Sequence, residues 1–271
     1  MFLFAFLFVA LILAVWTWYH PESFFIPINL LYNIDPSSRT NFYSDADKYN
    51  IFPVSRELES IWQDIKHECH ELYESLPDKD INYLDNYNIN LGDETKRHWT
   101  TIPLRVFGHD SHDYMDKCPI TSKILYEHPE IKSCIFSIME PGKIIKPHVG
   151  PYDGLLRYQL ALDIPNTSNS VNLSDSQSDK LTLVANQESS LFINEFSQNE
   201  CYLHVGGERY EWTEGHGIMF DESNLHGAVN TTQYKRMVLI IDLERPYSLL
   251  PYRIMNKFII WAMGKLTYVI T

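Results

Sequence analysis

The sequence is short of basic residues and of closely spaced cysteines, and each shortage excludes a class of protein. Lys and Arg number 22 against 35 Asp and Glu, which gives a formal net charge of −13 at pH 7. Such a chain is poorly suited to neutralising phosphates over a broad surface, so we expect no nucleic-acid partner. The four cysteines stand far apart without a C-x-x-C pair. This spacing excludes a zinc ribbon and a disulfide-dense scaffold, and it favours reduced thiols.

Charged residues are absent from residues 1–19, MFLFAFLFVALILAVWTWY. About 18 helical residues span roughly 27 Å, close to the thickness of a bilayer's hydrocarbon core. The run lacks the basic start and the small-residue cleavage site of a secretory signal, and it ends in Trp16, Trp18 and Tyr19, which suit a membrane interface. We therefore predict a single-pass membrane anchor, with a cleaved signal peptide as the alternative. Arg39 is the only Lys or Arg in residues 20–39, so the side of the membrane is not indicated.

The rest of the chain predicts a mainly β domain with flanking helices. Residues 55–76 carry apolar side chains at steps of three and four, which is typical of an amphipathic helix. Beyond residue 131, short β-branched and aromatic runs alternate with Pro, Gly, Asn and Asp, which predicts a sandwich or barrel. The predicted organisation is an anchor at 1–19, a connector at 20–54, a helical and mixed part at 55–130, and a β core at 131–246 with a polar surface insertion at 166–180. An apolar tail at 247–271 either packs on the core or lies on a membrane surface.

Two histidines stand out from the eleven because of their neighbours. His148 ends the predicted strand KIIKPH, and His226 follows 78 residues later, across several predicted strands. Ten residues beyond His226, Arg236 opens the apolar run MVLIID, so its cation is expected to point inward, where it needs an anion. Two imidazoles for a metal and an arginine for a dicarboxylate match an iron(II)/2-oxoglutarate oxygenase. The alternative is a pair of structural histidines and an arginine paired with an internal carboxylate.

Several motifs in order then resemble a known family. SIMEPGKIIKPHVGP, LLRYQLAL, GGERYEWTEGHGIMFDESNLHGAVN and KRMVLIIDLERP are similar to successive motifs of the aspartyl/asparaginyl β-hydroxylase family, which includes lipid A acyl-chain hydroxylases. The resemblance runs from about residue 98 to residue 246. It implies a double-stranded β-helix (a cupin-like jelly roll), Fe(II), 2-oxoglutarate and O2. It places His148 and His226 on the iron ligands and Arg236 on the 2-oxoglutarate anchor, and it gives Ser137 and Arg157 supporting contacts to the co-substrate.

Two positions depart from patterns in the family. Gly150 stands where most enzymes of the wider superfamily have a carboxylate ligand. The protein β-hydroxylases also have glycine there, so the resemblance implies iron held by two histidines. Gln159 replaces a histidine that lies near the co-substrate in the protein hydroxylases, and it can keep a polar contact there. The third iron position is then open to water, substrate or, as in related halogenases, a halide.

The resemblance leaves the substrate open between a peptidyl Asp or Asn and a lipid acyl chain. HVG is similar to the protein hydroxylases, whereas PYDGLLRY, GGERYEW and the hydrophobic amino-terminal segment are similar to the lipid hydroxylases. Because Gly150 replaces an acid, a catalytically inactive, membrane-anchored cupin-like binding module is the alternative to an enzyme.

Overall fold

The computed structural model describes residues 29, 40–77, 99–150, 152–165 and 199–270, with side chains described up to residue 265. The predicted anchor and the predicted polar insertion lie outside the described residues, and both stay predictions. Among the helices that the structure does describe, none has both the length and the apolar character needed to cross a membrane.

The described part of the chain gives the bounds of six helices around or after the β core: α1 Asp45–Ile51, α2 Ser55–Ser60, α3 Trp62–Ser75, α4 His112–Met115, α5 Pro119–Glu127 and α6 Leu250–Ile270. The amphipathic helix predicted over residues 55–76 forms as α2 and α3. They are separated by Ile61, whose φ of −113° and ψ of 18° depart from helical values. The predicted apolar face is confirmed, because Leu58, Ile65 and Cys69 are fully buried. α3 ends before Leu76, which is extended as expected for a residue preceding proline.

Ten strands form two antiparallel sheets: β1 Trp99–Val106, β2 His109–Asp110, β3 Ile131–Met139, β4 Ile144–His148, β5 Leu155–Asp163, β6 Cys201–Val205, β7 Glu208–Tyr210, β8 Gly217–Phe220, β9 His226–Asn230 and β10 Arg236–Glu244. One sheet has the order β2-β1-β3-β10-β5-β8, and the other has the order β4-β9-β6-β7. Strands β3 to β10 therefore contribute four strands to each sheet in the order of an eight-stranded jelly roll. The predicted mainly β fold with flanking helices is confirmed, and the pairing of the described strands follows the order of the predicted double-stranded β-helix.

The six-stranded sheet separates two hydrophobic cores, because successive side chains in a strand point to opposite faces. Phe136, Leu160 and Leu239 face the helices and pack with α2, α3 and α5. Val238 and Ile240 face the four-stranded sheet and pack against residues such as Leu203 and Val205. The odd-numbered residues of β3 and β5 and the even-numbered residues of β10 thus point into the space between the sheets. Ser137, Gln159, Arg157 and Arg236 all belong to this inward set.

Candidate active site

The two histidines predicted as ligands meet at one end of the four-stranded sheet. His148 ends β4, His226 begins β9, and the two are opposite each other in the strand pairing. Their ring centroids are 4.3 Å apart, with 54° between the ring planes. Gly227 allows this close approach, because a Cβ atom there would lie 2.7 Å from the carbonyl oxygen of Ile145. The fold therefore brings together two side chains that are 78 residues apart in sequence.

Both imidazoles are oriented by the backbone in the same way. Nδ1 of His148 lies 2.9 Å from the carbonyl oxygen of Lys146, and Nδ1 of His226 lies 2.9 Å from that of Asn224. A carbonyl only accepts, so each Nδ1 carries the proton and each Nε2 keeps its lone pair, as in metal-binding histidines. Nε2 of His226 is buried and has no hydrogen-bond partner among the described residues.

The site also keeps both histidines in the neutral form that binds metals. Burial, assisted by nearby His148 and Arg157, lowers the pKa of His226 to about 3. Burial also lowers the pKa of His148. Neither ring therefore needs to lose a proton at neutral pH before it donates its lone pair.

Arg236 places an uncompensated cation in the same interior. The residue is 2 % exposed, and its guanidinium carbon lies 4.5 Å from the ring centroid of Trp212. Nη2 approaches Sδ of Met139 at 2.7 Å, whereas Nε and Nη1 have no hydrogen-bond partner among the described residues. Burial lowers the pKa of this guanidinium to about 10. Nε and Nη1 of Arg236 are thus available to an anion. The alternative, a pairing of Arg236 with an internal carboxylate, does not occur among the described residues.

Ser137 and Gln159 line the same interior and are held by two tryptophans. Nε1 of Trp99 donates to Oγ of Ser137 at 3.0 Å, and Nε1 of Trp212 donates to Oε1 of Gln159 at 3.3 Å. Ser137 keeps its own O–H for a further acceptor. Trp212 therefore contacts both Gln159 and Arg236, and it forms one wall of the site.

Arg157 differs from Arg236, because its charge is already paired. Its Nη2 lies 2.7 Å from Oε2 of Glu222, and its Nε donates to Oδ1 of Asp242 at 2.8 Å. Burial disfavours the guanidinium charge, but the two carboxylates outweigh burial and raise the pKa of Arg157. Burial raises the pKa of Glu222 to about 7, although Arg157 opposes this shift. The predicted contact of Arg157 with a co-substrate thus competes with two internal ion pairs.

Gly150 has no room for the missing carboxylate side chain. A Cβ atom there would lie 2.9 Å from Cγ and 3.0 Å from Cδ of Glu222. The Gly150 amide also donates to the Glu222 carbonyl oxygen at 2.8 Å, which fixes the two backbones together. Across the part of the chain that the structure describes, no group of three or more His, Cys, Asp or Glu side chains could hold a metal ion. Among the described residues, the candidate metal donors at this site are therefore the two imidazoles.

Sequence reasoning missed three residues of the site: Trp212, Glu222 and Asp242. All three lie in motifs that the sequence displays, GGERYEW, MFDESNLH and MVLIIDL. Alternation along β10 was the available signal for Asp242, because it shares the inward face with Arg236. Trp212 and Glu222 lie outside the strands, where no sequence period assigns a direction to a side chain.

Two further histidines of the described residues, His70 and His128, pair with carboxylates outside the site. Nε2 of His70 lies 2.9 Å from Oδ2 of Asp163, and Nδ1 of His128 lies 3.0 Å from Oε1 of Glu130. Both contacts are on the surface or partly buried, so the H-x-E triplet at residues 128–130 is an ordinary surface pair.

Comparison with known proteins agrees with this geometry. The family model described as aspartyl/asparaginyl β-hydroxylase matches residues 59–246, which contain every site residue named above. The chain belongs to the aspartyl/asparaginyl β-hydroxylase family. The resemblance drawn from the motifs is therefore confirmed.

Individual relatives in the family have different printed activities. An ornithine lipid ester-linked acyl 2-hydroxylase from Rhizobium tropici is 30 % identical over 172 residues, covering 64 % of this chain and 49 % of the relative. The human aspartate β-hydroxylase domain-containing protein 2 is 26 % identical over 238 residues, covering 83 % and 51 %. The human aspartyl/asparaginyl β-hydroxylase is 24 % identical over 156 residues, covering 56 % and 16 %. The chain thus spans about half the length, or less, of the curated relatives it matches.

Similarity to solved structures is distant. A cupin domain of a transcriptional regulator from Enterobacter cloacae aligns with a TM-score of 0.31 at 9 % identity, covering 55 % of this chain and 99 % of that domain. The jelly-roll assignment rests on the strand pairing.

Proposed function

We propose that this protein is a hydroxylase that uses Fe(II), 2-oxoglutarate and O2, as the family resemblance implies. One observation carries the proposal: the buried His226, whose Nε2 has no partner among the described residues, lies beside the half-buried His148 and shares an interior with Arg236, which has no anionic partner among those residues. Buried polar groups without partners are rare in folded proteins, and each costs free energy. An iron ion and a dicarboxylate would satisfy the histidines and the arginine respectively.

His148 and His226 would hold the iron through Nε2. When bound, Fe(II) supplies redox chemistry that couples the oxidative decarboxylation of 2-oxoglutarate to the hydroxylation of an unactivated C–H bond, with succinate and CO2 as products. The Lys146 and Asn224 carbonyls keep each Nδ1 protonated and so aim the lone pair of each Nε2 at the ion. No catalytic carboxylate ligand comes from position 150.

Arg236 would bind the distal carboxylate of 2-oxoglutarate through one edge of its guanidinium, where Nη2 and either Nε or Nη1 present parallel N–H groups. Such a pair suits a bidentate contact to a carboxylate, and Nη2 would also keep its contact with Met139. Trp212 shields the guanidinium from water, and low local polarity strengthens the contact. Ser137 and Gln159 would add neutral hydrogen bonds. Arg157 would act mainly by holding Glu222 against Gly150, and it would reach the co-substrate only if one of its ion pairs opened.

The substrate proposal keeps two chemical classes. A peptidyl Asp or Asn corresponds to the printed name of the human aspartyl/asparaginyl β-hydroxylase, and an acyl chain corresponds to that of the Rhizobium tropici enzyme. We further propose that residues 1–19 anchor the protein in a membrane as a single-pass segment. Either substrate is compatible with a site held near a bilayer.

The test is anaerobic binding of Fe(II) and 2-oxoglutarate to the purified full chain, followed by exposure to O2 and a succinate assay. His226→Ala should lose both binding and succinate formation, whereas His70→Ala, a histidine outside the site, should retain both. A wild-type protein that binds neither Fe(II) nor 2-oxoglutarate and forms no succinate would contradict the hydroxylase and favour the inactive binding module.

A further inference from the structure

The outer face of α6 is an apolar stripe that nothing in the described chain covers. Leu250, Ile254, Phe258 and Trp261 are 61 %, 60 %, 58 % and 58 % exposed. They follow one another at steps of four, four and three residues, so they lie on one side of the helix. The rings of Phe258 and Trp261 are in contact, with their centroids 5.8 Å apart. Four large apolar side chains on one face form a patch of the kind that marks an interaction site.

The opposite face fixes the orientation of this stripe. Ile259 and Ile260 are buried in a small core with Tyr152, Leu155 and Tyr247. Asn256 is completely buried, accepts a short hydrogen bond from the Tyr152 hydroxyl, and donates to the carbonyl oxygen of Gly154 at 2.9 Å. Turning the stripe inward would break these contacts, so α6 presents it permanently to the outside.

The charge of α6 is opposite to that of the whole protein. Residues 250–270 contain Arg253, Lys257 and Lys265 and no acidic residue, in a chain with a net charge of −13. All three basic residues are exposed. An apolar stripe bordered by Lys and Arg is typical of helices that lie in the plane of a membrane containing anionic lipids. A second copy docked by a two-fold axis would bring these like charges together, which is unfavourable.

We propose that α6 docks on an anionic lipid surface, with Leu250, Ile254, Phe258 and Trp261 in the interfacial region and the three basic residues at the headgroups. With 21 residues and three charges, the helix lies along the surface and does not cross it. This proposal concerns the location of the protein and is independent of the hydroxylase chemistry.

The position of α6 brings the lipid surface close to the candidate active site. Tyr152, which α6 covers, follows the ligand His148 by four residues, a separation of at most about 14 Å along the chain. Asn29 contacts the same loop, because its Oδ1 accepts from the Asp153 amide at 3.1 Å. The predicted anchor ends ten residues before Asn29. Asn29, the first described residue after the predicted anchor, therefore lies at the loop that α6 packs against.

The experiment places a polarity-sensitive fluorophore on the full chain after reconstitution into vesicles. The four native cysteines are buried, so a label attaches selectively to a new cysteine in Phe258→Cys or Ile254→Cys. Tyr126→Cys, at an equally exposed position on α5, is the matched control. In vesicles with about one third anionic lipid, we expect labels on α6 to shift to the blue and to be quenched by lipid-borne quenchers, and the label at position 126 to remain accessible to aqueous iodide.

A second variant tests the charges. Combining Arg253→Gln, Lys257→Gln and Lys265→Gln should lower the docked-to-undocked ratio by roughly a hundredfold, since each basic residue contributes about fivefold at an anionic surface. Equal iodide access at positions 258 and 126 would overturn the proposal. Concentration-dependent self-quenching of the label at position 258 would also overturn it, because it would identify a second copy as the occupant.

Discussion

Replacing Arg236 by methionine should stabilise the ligand-free protein while removing its response to 2-oxoglutarate. The guanidinium is buried, its Nε and Nη1 have no partner among the described residues, and burial lowers its pKa to about 10, well below the usual value for arginine. At neutral pH the arginine is charged in both the folded and the unfolded state. The lowered pKa therefore means that folding costs about 3 kcal/mol for this charge, at about 1.4 kcal/mol for each pKa unit.

The contact with Trp212 offsets part of this cost. A desolvated guanidinium on a tryptophan face gains about 2 kcal/mol. Arg236→Met keeps the apolar volume and removes both terms, so the free energy of unfolding should rise by about 1 to 3 kcal/mol, in the range found when buried charges are replaced by apolar groups. For a domain of this size, the melting temperature should rise by about 2 to 10 °C.

Arg157→Met is the control, because this arginine points into the same interior, with 20 % of its side chain exposed, but is paired with Glu222 and Asp242. Its loss leaves two buried carboxylates uncompensated, and the expected destabilisation is about 3 to 5 kcal/mol. The two methionine variants should therefore shift the melting temperature in opposite directions.

Thermal unfolding of the full chain, with and without Mn(II) and 2-oxoglutarate, measures both effects. Ligand at a hundred times its dissociation constant should stabilise the wild type by about 2.7 kcal/mol, whereas Arg236→Met should show no added stabilisation from 2-oxoglutarate. If Arg236→Met is destabilised as much as Arg157→Met, the arginine has an internal partner and the reasoning is refuted.

Three further predictions concern the same structure. His148→Ala and His226→Ala should each abolish metal-dependent succinate formation, because each removes one of two donors, and circular dichroism should show an intact fold; turnover in either folded variant would contradict the two-histidine assignment. Gly150→Asp should destabilise the protein by about 1 to 3 kcal/mol in denaturant unfolding, because Glu222 occupies the space, and the same substitution should cost less when it is made in a Glu222→Ala background and compared with Glu222→Ala alone; an equal cost in both backgrounds would show that the Glu222 side chain is not the cause. Thiol reagents should label the protein only after unfolding, since all four thiols are buried and burial raises the pKa of each: Cys69, Cys118, Cys134 and Cys201. Rapid labelling of the folded protein would refute this prediction.

A mainly β core could be predicted because the signals of single strands are local. Most strands from β3 to β10 are short runs rich in β-branched, aliphatic or aromatic residues, although β9, HGAVN, is not, and the helix face of residues 55–76 follows a period that one segment displays by itself. The order of strands within each sheet is not local, and it came from the family resemblance. The break between α2 and α3 at Ile61 has no sequence signal of this kind.

The candidate metal ligands and Arg236 could be identified from the sequence, but the ion pairs of Arg157 could not. A motif assigns Arg157 a role in binding the co-substrate, yet only the register between β5 and β10 places it opposite Asp242. Glu222 reaches the same guanidinium from the loop before β9, whose path no periodicity reports. Charge pairing inside a core depends on contacts between distant segments, so it required the structure.

Arg157 and Arg236 differ in whether their charge is paired inside the protein. Arg157 forms ion pairs with two carboxylates, so its charge is compensated without any ligand. Among the described residues, Nε2 of His226 and two nitrogens of Arg236 have no hydrogen-bond partner, although the Asn224 carbonyl and the Trp212 ring orient the two side chains. An interior that fixes the direction of a donor and leaves its partner out is preorganised for a ligand. The cost of that arrangement is recovered only on binding, which is why the Arg236→Met variant should be more stable and inactive.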